Sequence, residues 1–166
     1  MGIYYTGVDS DLYKTFLNSI YRKKWEYVFD LNFHTLKKVF EWLKIKTKIV
    51  FESDFFPERV KSFISQFSTE YYGINYDIGN SASLGFDPKE EIKAYGRRIL
   101  NVHVKDRFLH GTTVPLGQGN AEIPKVLEEL DSIGYNGNYI LQTARSDDDH
   151  IGVLCQYRDQ VIKLMK

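Results

Sequence analysis

Short apolar runs alternate along this chain with longer stretches of helical periodicity, and most of the runs end on a polar residue. Ile3-Tyr4-Tyr5-Thr6-Gly7-Val8 predicts a strand over 2–8 that ends in Asp9-Ser10. From Asp11 the pattern turns helical, and a second helix is predicted over 32–44, with Phe33, Leu36, Phe40 and Leu43 on one face. A strand over 48–53 precedes a helix over 57–67, where Pro57 takes the first-turn position that proline favours. A strand over 72–78 leads into Gly79-Asn80-Ser81-Ala82-Ser83-Leu84-Gly85, which reads as a loop. Asp87 as N-cap and Pro88 as first helical residue open the next helix. A strand over 99–104 is followed by a long loop over 105–122, holding Gly111, Pro115, Gly117 and Gly119. A helix over 123–133 stops at Gly134, a strand spans 138–143, and a helix closes the chain over 147–166.

Repeated strand–helix units imply parallel strands joined by right-handed crossovers, the α/β class. Their arrangement predicts a barrel in which chemistry collects where the strands end. A closed barrel needs eight such units and usually about 250 residues, whereas five are visible in these 166 residues. The expectation is one incomplete-barrel domain over 1–166, with the other units preceding Met1 or with its open edges closed in another way. Exposed parallel edges invite pairing, so a homodimer or a missing barrel half is an expected partner.

Four of the runs end on a residue that can bind a metal: Glu52 after Ile49-Val50-Phe51, Asp77 after Ile74-Asn75-Tyr76, His103 after Leu100-Asn101-Val102, and Gln142 after Tyr139-Ile140-Leu141. One such residue is accident; four at equivalent places predict a ring of ligands around one point. Carboxylate, imidazole and amide oxygen suit a divalent ion such as Mn²⁺, Mg²⁺, Co²⁺ or Zn²⁺.

Charge narrows the partners. The 22 basic and 22 acidic residues cancel, so nothing draws the chain to nucleic acid or to an anionic membrane. No apolar run approaches the roughly 18 residues of a membrane span, and no leader pattern opens the sequence. The expected setting is the cytoplasm. Cys155 is the one cysteine, which excludes an internal disulfide and a cysteine-based zinc site; it is expected to be a small buried residue of the last helix.

Four segments carry a family resemblance: Asn75-Tyr76-Asp77-Ile78-Gly79-Asn80-Ser81, Val102-His103-Val104-Lys105-Asp106-Arg107, Val114-Pro115-Leu116-Gly117-Gln118-Gly119-Asn120 and Ile140-Leu141-Gln142-Thr143-Ala144-Arg145. In order, they resemble the xylose-isomerase-like TIM barrels, and within them the sugar-phosphate isomerases and epimerases, over the last five (β/α) units of the eight. The resemblance implies that Glu52, Asp77, His103 and Gln142 are the four metal positions. It also implies that the activity is proton transfer through an enediolate of a small sugar or sugar phosphate. Many members carry glutamate at the fourth position, where two glutamates act as opposed acid and base. Gln142 departs from that pattern, because an amide accepts no proton near neutral pH. Two alternatives stay open: one-base transfer between neighbouring carbons by Glu52, an aldose–ketose isomerisation, or the use of a different acid or base, with Lys105 the nearest candidate.

Lys105 and Arg107 suit a phosphate or carboxylate, with Asp106 orienting either one; an ordinary ion-paired strand end is the competing expectation. Arg145, three residues past Gln142, is the stronger anion candidate. The Gly117-Gln118-Gly119 loop lacks the strand–helix context of a phosphate-binding loop and is read as a tight-turning rim. His34 and His150 are expected at the surface. A DNA-cutting relative of the same barrel is disfavoured by the neutral charge and by the few histidines, since that branch uses a larger metal cluster. A catalytically silent barrel fragment that needs a partner chain is the alternative to an enzyme.

Overall fold

The computed structural model describes residues 10–44, 46–146 and 148–165. They form two compact units that divide between Thr47 and Lys48. The strand expected over 2–8 lies outside the described residues.

The first unit is a helical hairpin of α1 (Ser10–Tyr21) and α2 (Val28–Trp42). The turn between them is tied down by Trp25, whose indole donates to Ile20 O at 2.8 Å and whose ring lies 4.9 Å from that of His34. His34 also reaches the Ser19 hydroxyl at 3.3 Å, so it is half-buried helix packing. The second helix begins four residues before the point expected, because Asp30 in the first turn complements the helix dipole and supports an earlier start.

The second unit carries β1 (Ile49–Phe51), α3 (Pro57–Ile64), β2 (Tyr72–Asp77), α4 (Ile78–Leu84), α5 (Pro88–Tyr95) and β3 (Ile99–Val104). These are followed by β4 (Asp106–Arg107), β5 (Thr113–Val114), α6 (Ile123–Ser132), β6 (Asn138–Leu141) and α7 (His150–Leu164). The sheet order is β1-β2-β3-β6, and every pairing is parallel. Four parallel strands alternating with helices make an incomplete α/β barrel. β2 is central and buried along its whole length. Ile74, Val102 and Val104 on the strands, with Val60, Ile64, Ile92, Val126 and Leu130 on the helices, form the core. At about 25 cal/mol per Å² such burial is the main favourable term in folding.

Local signals behave as their chemistry dictates. Asp87 caps α5, accepting from the backbone N–H groups of Lys89 and Glu90, with Pro88 just behind. Gly134 ends α6 at φ 70°, a conformation that an L side chain rarely adopts.

Three expectations are corrected. The glycines and serines of residues 79–85 predict a loop, yet most of these residues form α4: Asp77 caps it by accepting from Asn80 N at 2.8 Å, and Gly85 ends it in the left-handed region. The expected loop over 105–122 folds back on itself as the antiparallel pair β4–β5. Cys155 is exposed: Val161 is the buried residue of α7, and at 3.6 residues per turn Cys155 points about 120° away from it.

Candidate metal centre

A strand buries alternate residues on one face, so Asn75 and Asp77 of β2 project to the same side of the sheet. The pairing of β2 with β3 sets Asp77 level with His103. The pairing of β1 with β2 ends at Phe51 opposite Ile74, which leaves Glu52 nearer the level of Asn75. The strand ends are thus staggered, and the long glutamate side chain spans the offset.

Glu52, Asp77 and His103 converge, with one ligand atom from each lying within 4.8 Å of the others. His103 Nδ1 stands 3.5 Å from Glu52 Oε2 and 3.7 Å from Asp77 Oδ2. The Asp77 side chain is almost fully buried, whereas that of Glu52 is 42% exposed. Gln142 follows β6, its backbone N–H donating to Val104 O at 3.0 Å. Its side-chain oxygen accepts from Lys105 Nζ at 3.2 Å, and the same ammonium lies 3.4 Å from Asp77 Oδ2. The stem of Lys105 runs over Gly79, where an added Cβ would come within 2.7 Å of its Cγ.

Two asparagines complete the arrangement. Asn75 Nδ2 donates to Glu52 Oε2 at 2.7 Å and lies 3.1 Å from His103 Nδ1. Asn80 Nδ2 donates to Glu52 Oε1 at 3.0 Å, while its Oδ1 accepts from Arg107 Nη1 at 2.9 Å and Lys105 Nζ at 3.4 Å. The Glu52 carboxylate is therefore held at both oxygens. Neither asparagine had been singled out. Asn75 was legible as the residue two before Asp77, on the same strand face; Asn80 became a site residue once α4 formed.

Two carboxylates facing one imidazole nitrogen repel each other unless a cation lies between them. Glu52, Asp77 and His103 supply two oxygens and a nitrogen suited to a borderline divalent ion, and the Gln142 oxygen is held by Lys105. On donor chemistry the residues fit a metal.

The loop beyond β3 is anchored by Asp106, which is completely buried. Its carboxylate accepts from the backbone N–H groups of Gly117, Gly119 and Ala121 at 2.8, 2.9 and 3.0 Å. Gly119 has no room for a side chain, since a Cβ there would run into Asp106 and the Arg107 carbonyl. Arg107 gives Nε and Nη2 to Gly111 O at 3.1 and 2.7 Å, besides its bond to Asn80. Arg145 lines a pocket of about 400 Å³ at the β6–α7 junction, together with Gln142, His150 and Val153.

The pattern of the xylose isomerase-like TIM barrel matches residues 36–160. The chain belongs to that family. Solved structures with this fold include a xylose isomerase domain protein from Planctomyces limnophilus, at TM-score 0.63 and 22% identity, covering 81% of this chain and 50% of that one. The IolI protein with a zinc atom aligns at TM-score 0.62 and 16% identity over 78% of this chain and 52% of its own. The 3-keto-D-glucoside 4-epimerase YcjR from E. coli aligns at 0.57 and 13%, over 89% and 58%. The chain spans about half the length of these relatives. In this family member, as in the sequence reading, no helix among the described residues is long and apolar enough to cross a membrane.

A further buried acid lies on the helix side of β2. Glu91 is buried on α5 and accepts from Tyr76 Oη at 2.9 Å, Ser81 Oγ at 2.8 Å and Tyr95 Oη at 2.7 Å. Burial pushes its carboxyl above the ordinary value, against the pull of the three hydroxyls. The same burial raises both tyrosines, so they stay neutral donors.

Proposed function

We propose that this chain carries the metal-binding half of a divalent-metal-dependent isomerase or epimerase acting on a small sugar or sugar phosphate. The observation that supports this most is the convergence of Glu52, Asp77 and His103 at the ends of three neighbouring parallel strands. A zinc atom in IolI and the epimerase activity in YcjR's name point the same way. Glu52, Asp77 and His103 would hold the ion, with Gln142 as a neutral fourth ligand. When bound, Mn²⁺, Mg²⁺, Co²⁺ or Zn²⁺ supplies Lewis-acid polarisation of adjacent substrate oxygens.

The residues of the chain divide the remaining work. Glu52 is the base that takes a carbon-bound proton, its carboxylate held at one oxygen by Asn75 and at the other by Asn80. Lys105 donates toward a substrate oxygen or serves as the second acid, because it is the nearest cation to the fourth position. Arg107 and Arg145 bind the substrate's anionic or hydroxyl groups. The single cysteine, which forms no disulfide within the chain, suits a cytoplasmic setting.

The test is solvent deuterium incorporation into a panel of small ketoses, keto-glycosides and their phosphates, with each ion supplied in turn. Metal-dependent exchange at the carbon beside the carbonyl is expected; no exchange with any pair, from a chain that binds metal, would remove the enzymatic assignment.

A second reading is a barrel half that acts only with another chain. Its support is the coverage of about half of each relative together with a sheet of four parallel strands among the described residues, where a closed barrel has eight. Native mass spectrometry separates the two, since a homodimer or a complex with a separate barrel half is expected here and a stable, active monomer is not.

A further inference from the structure

The Glu91 cluster calls for a reason beyond packing. Glu91 is a buried carboxyl with three hydroxyls aimed at it, and such a network fixes geometry because losing the shared acceptor leaves its buried donors unpaired. Two of the three hydroxyls that Glu91 accepts from belong to residues adjacent in sequence to site residues. Tyr76 immediately precedes Asp77 on β2, and Ser81 immediately follows Asn80 on α4. Tyr95, on α5 with Glu91, closes the cluster and packs edge-to-face on Tyr76 at 6.2 Å. The two regions meet in one small crevice lined by Glu52, Asn75, Asp77, Asn80, Ser81 and Tyr95.

The helix α4 has seven residues, two of them serine and one glycine, so its own propensity is poor. Its orientation is fixed by the Asp77 cap at one end, by the Ser81–Glu91 bond along its side and by His110 N–H donating to Ser83 O at 2.8 Å near the other end. Rotation of α4 would carry Asn80 away from Glu52, Lys105 and Arg107 together.

The geometry points to Glu91 as a positioning residue of the metal centre: through Ser81 it sets the angle of α4 and thus the place of Asn80, and through Tyr76 it steadies the end of β2 that carries Asp77. This assignment rests on the metal-binding reading of Glu52, Asp77 and His103. Glu91 itself touches neither ion nor substrate. It acts at one remove, as outer partners of metal ligands do when their loss lowers affinity about 10- to 100-fold.

The experiment titrates the full chain and its variants with Mn²⁺ by calorimetry and records the Co²⁺ absorption spectrum, which reports ligand geometry at the ion. Glu91→Leu is expected to weaken Mn²⁺ about tenfold and to change the Co²⁺ spectrum. Glu91→Gln keeps an acceptor oxygen among the hydroxyls and is expected to recover most of both. Ser81→Ala removes only the link to α4, and should shift the spectrum and weaken binding while the chain still unfolds cooperatively. If Glu91→Leu fails to fold, Ser81→Ala decides alone. Folded variants with wild-type Mn²⁺ affinity and an unchanged Co²⁺ spectrum would overturn the positioning role and leave the metal centre standing. A wild-type chain that binds neither ion would overturn the metal centre itself, and this inference with it.

Discussion

Lys105 Nζ stands 3.2 Å from the side-chain oxygen of Gln142 and 3.4 Å from Asp77 Oδ2. The ammonium therefore touches both the neutral fourth residue and the Asp77 oxygen that lies 3.7 Å from His103 Nδ1. A divalent ion bound as proposed would compete with this lysine for the same oxygens.

Removing that competitor has a directional consequence. Lys105→Met keeps most of the stem over Gly79 and deletes the charge. Mn²⁺ affinity measured by calorimetry is expected to rise roughly tenfold, since a like charge about 4 Å away opposes the ion. Deuterium exchange into substrate is expected to fall, because the proposed acid is gone. Unchanged affinity would mean that the lysine leaves the centre before metal enters.

Gln142→Glu places a carboxylate against the same ammonium. It supplies an anionic fourth ligand and a second group able to carry a proton, so affinity is expected to increase about tenfold with ligand charge. Epimerisation should join isomerisation in a product analysis by NMR. Identical product scope for both proteins would count against amide substitution as the limit on two-base chemistry.

Asp77→Ala and His103→Ala should separate metal binding from folding. With Mn²⁺ at about 100 times its Kd, the wild-type chain gains about 2.7 kcal/mol, and neither variant is expected to gain a measurable amount. Without metal, Asp77→Ala also loses the α4 cap at a cost of about 1 kcal/mol, a penalty absent from His103→Ala. Thermal unfolding of each protein with and without the ion makes the comparison.

Asp106 is a structural anchor on the rim. Asp106→Asn turns an amide donor toward backbone N–H groups that now meet a carboxylate, and about 3 kcal/mol of stability is expected to disappear. Gly119→Ala forces the same loop apart and should cost about 2 kcal/mol. Urea unfolding measures both, and a loss under about 0.5 kcal/mol in either would show that the loop repacks freely.

The buried Glu91 gives stability a pH signature. Burial raises its carboxyl above the ordinary 4.5, with nearby Asp87 adding to the rise and Tyr95, Ser81 and Tyr76 opposing it. Between 4.5 and the raised value, the folded chain holds a proton that the unfolded chain has released. Folding stability from this group is thus complete below that window and declines as pH rises through it. Glu91→Gln should flatten this part of a stability–pH curve, whereas parallel curves for the two proteins would place the titration elsewhere.

Much of this protein is written in local periodicity. Alternating apolar runs and helical stretches determined the α/β class, the strand ends and the residues they present. Asp87-Pro88 and Gly134 marked helix limits through capping and backbone conformation alone. Glu52, Asp77 and His103 were legible because residues that end neighbouring parallel strands share one edge of the sheet. What the tertiary structure decided is how those ends are staggered, and hence that Asn75 and Asn80 hold Glu52. It also turned a glycine- and serine-rich segment into α4, gathered hydroxyls from β2, α4 and α5 around Glu91, and left Cys155 exposed. These outcomes depend on strand register and on the burial of groups far apart in the chain, and periodicity within one segment carries no record of either.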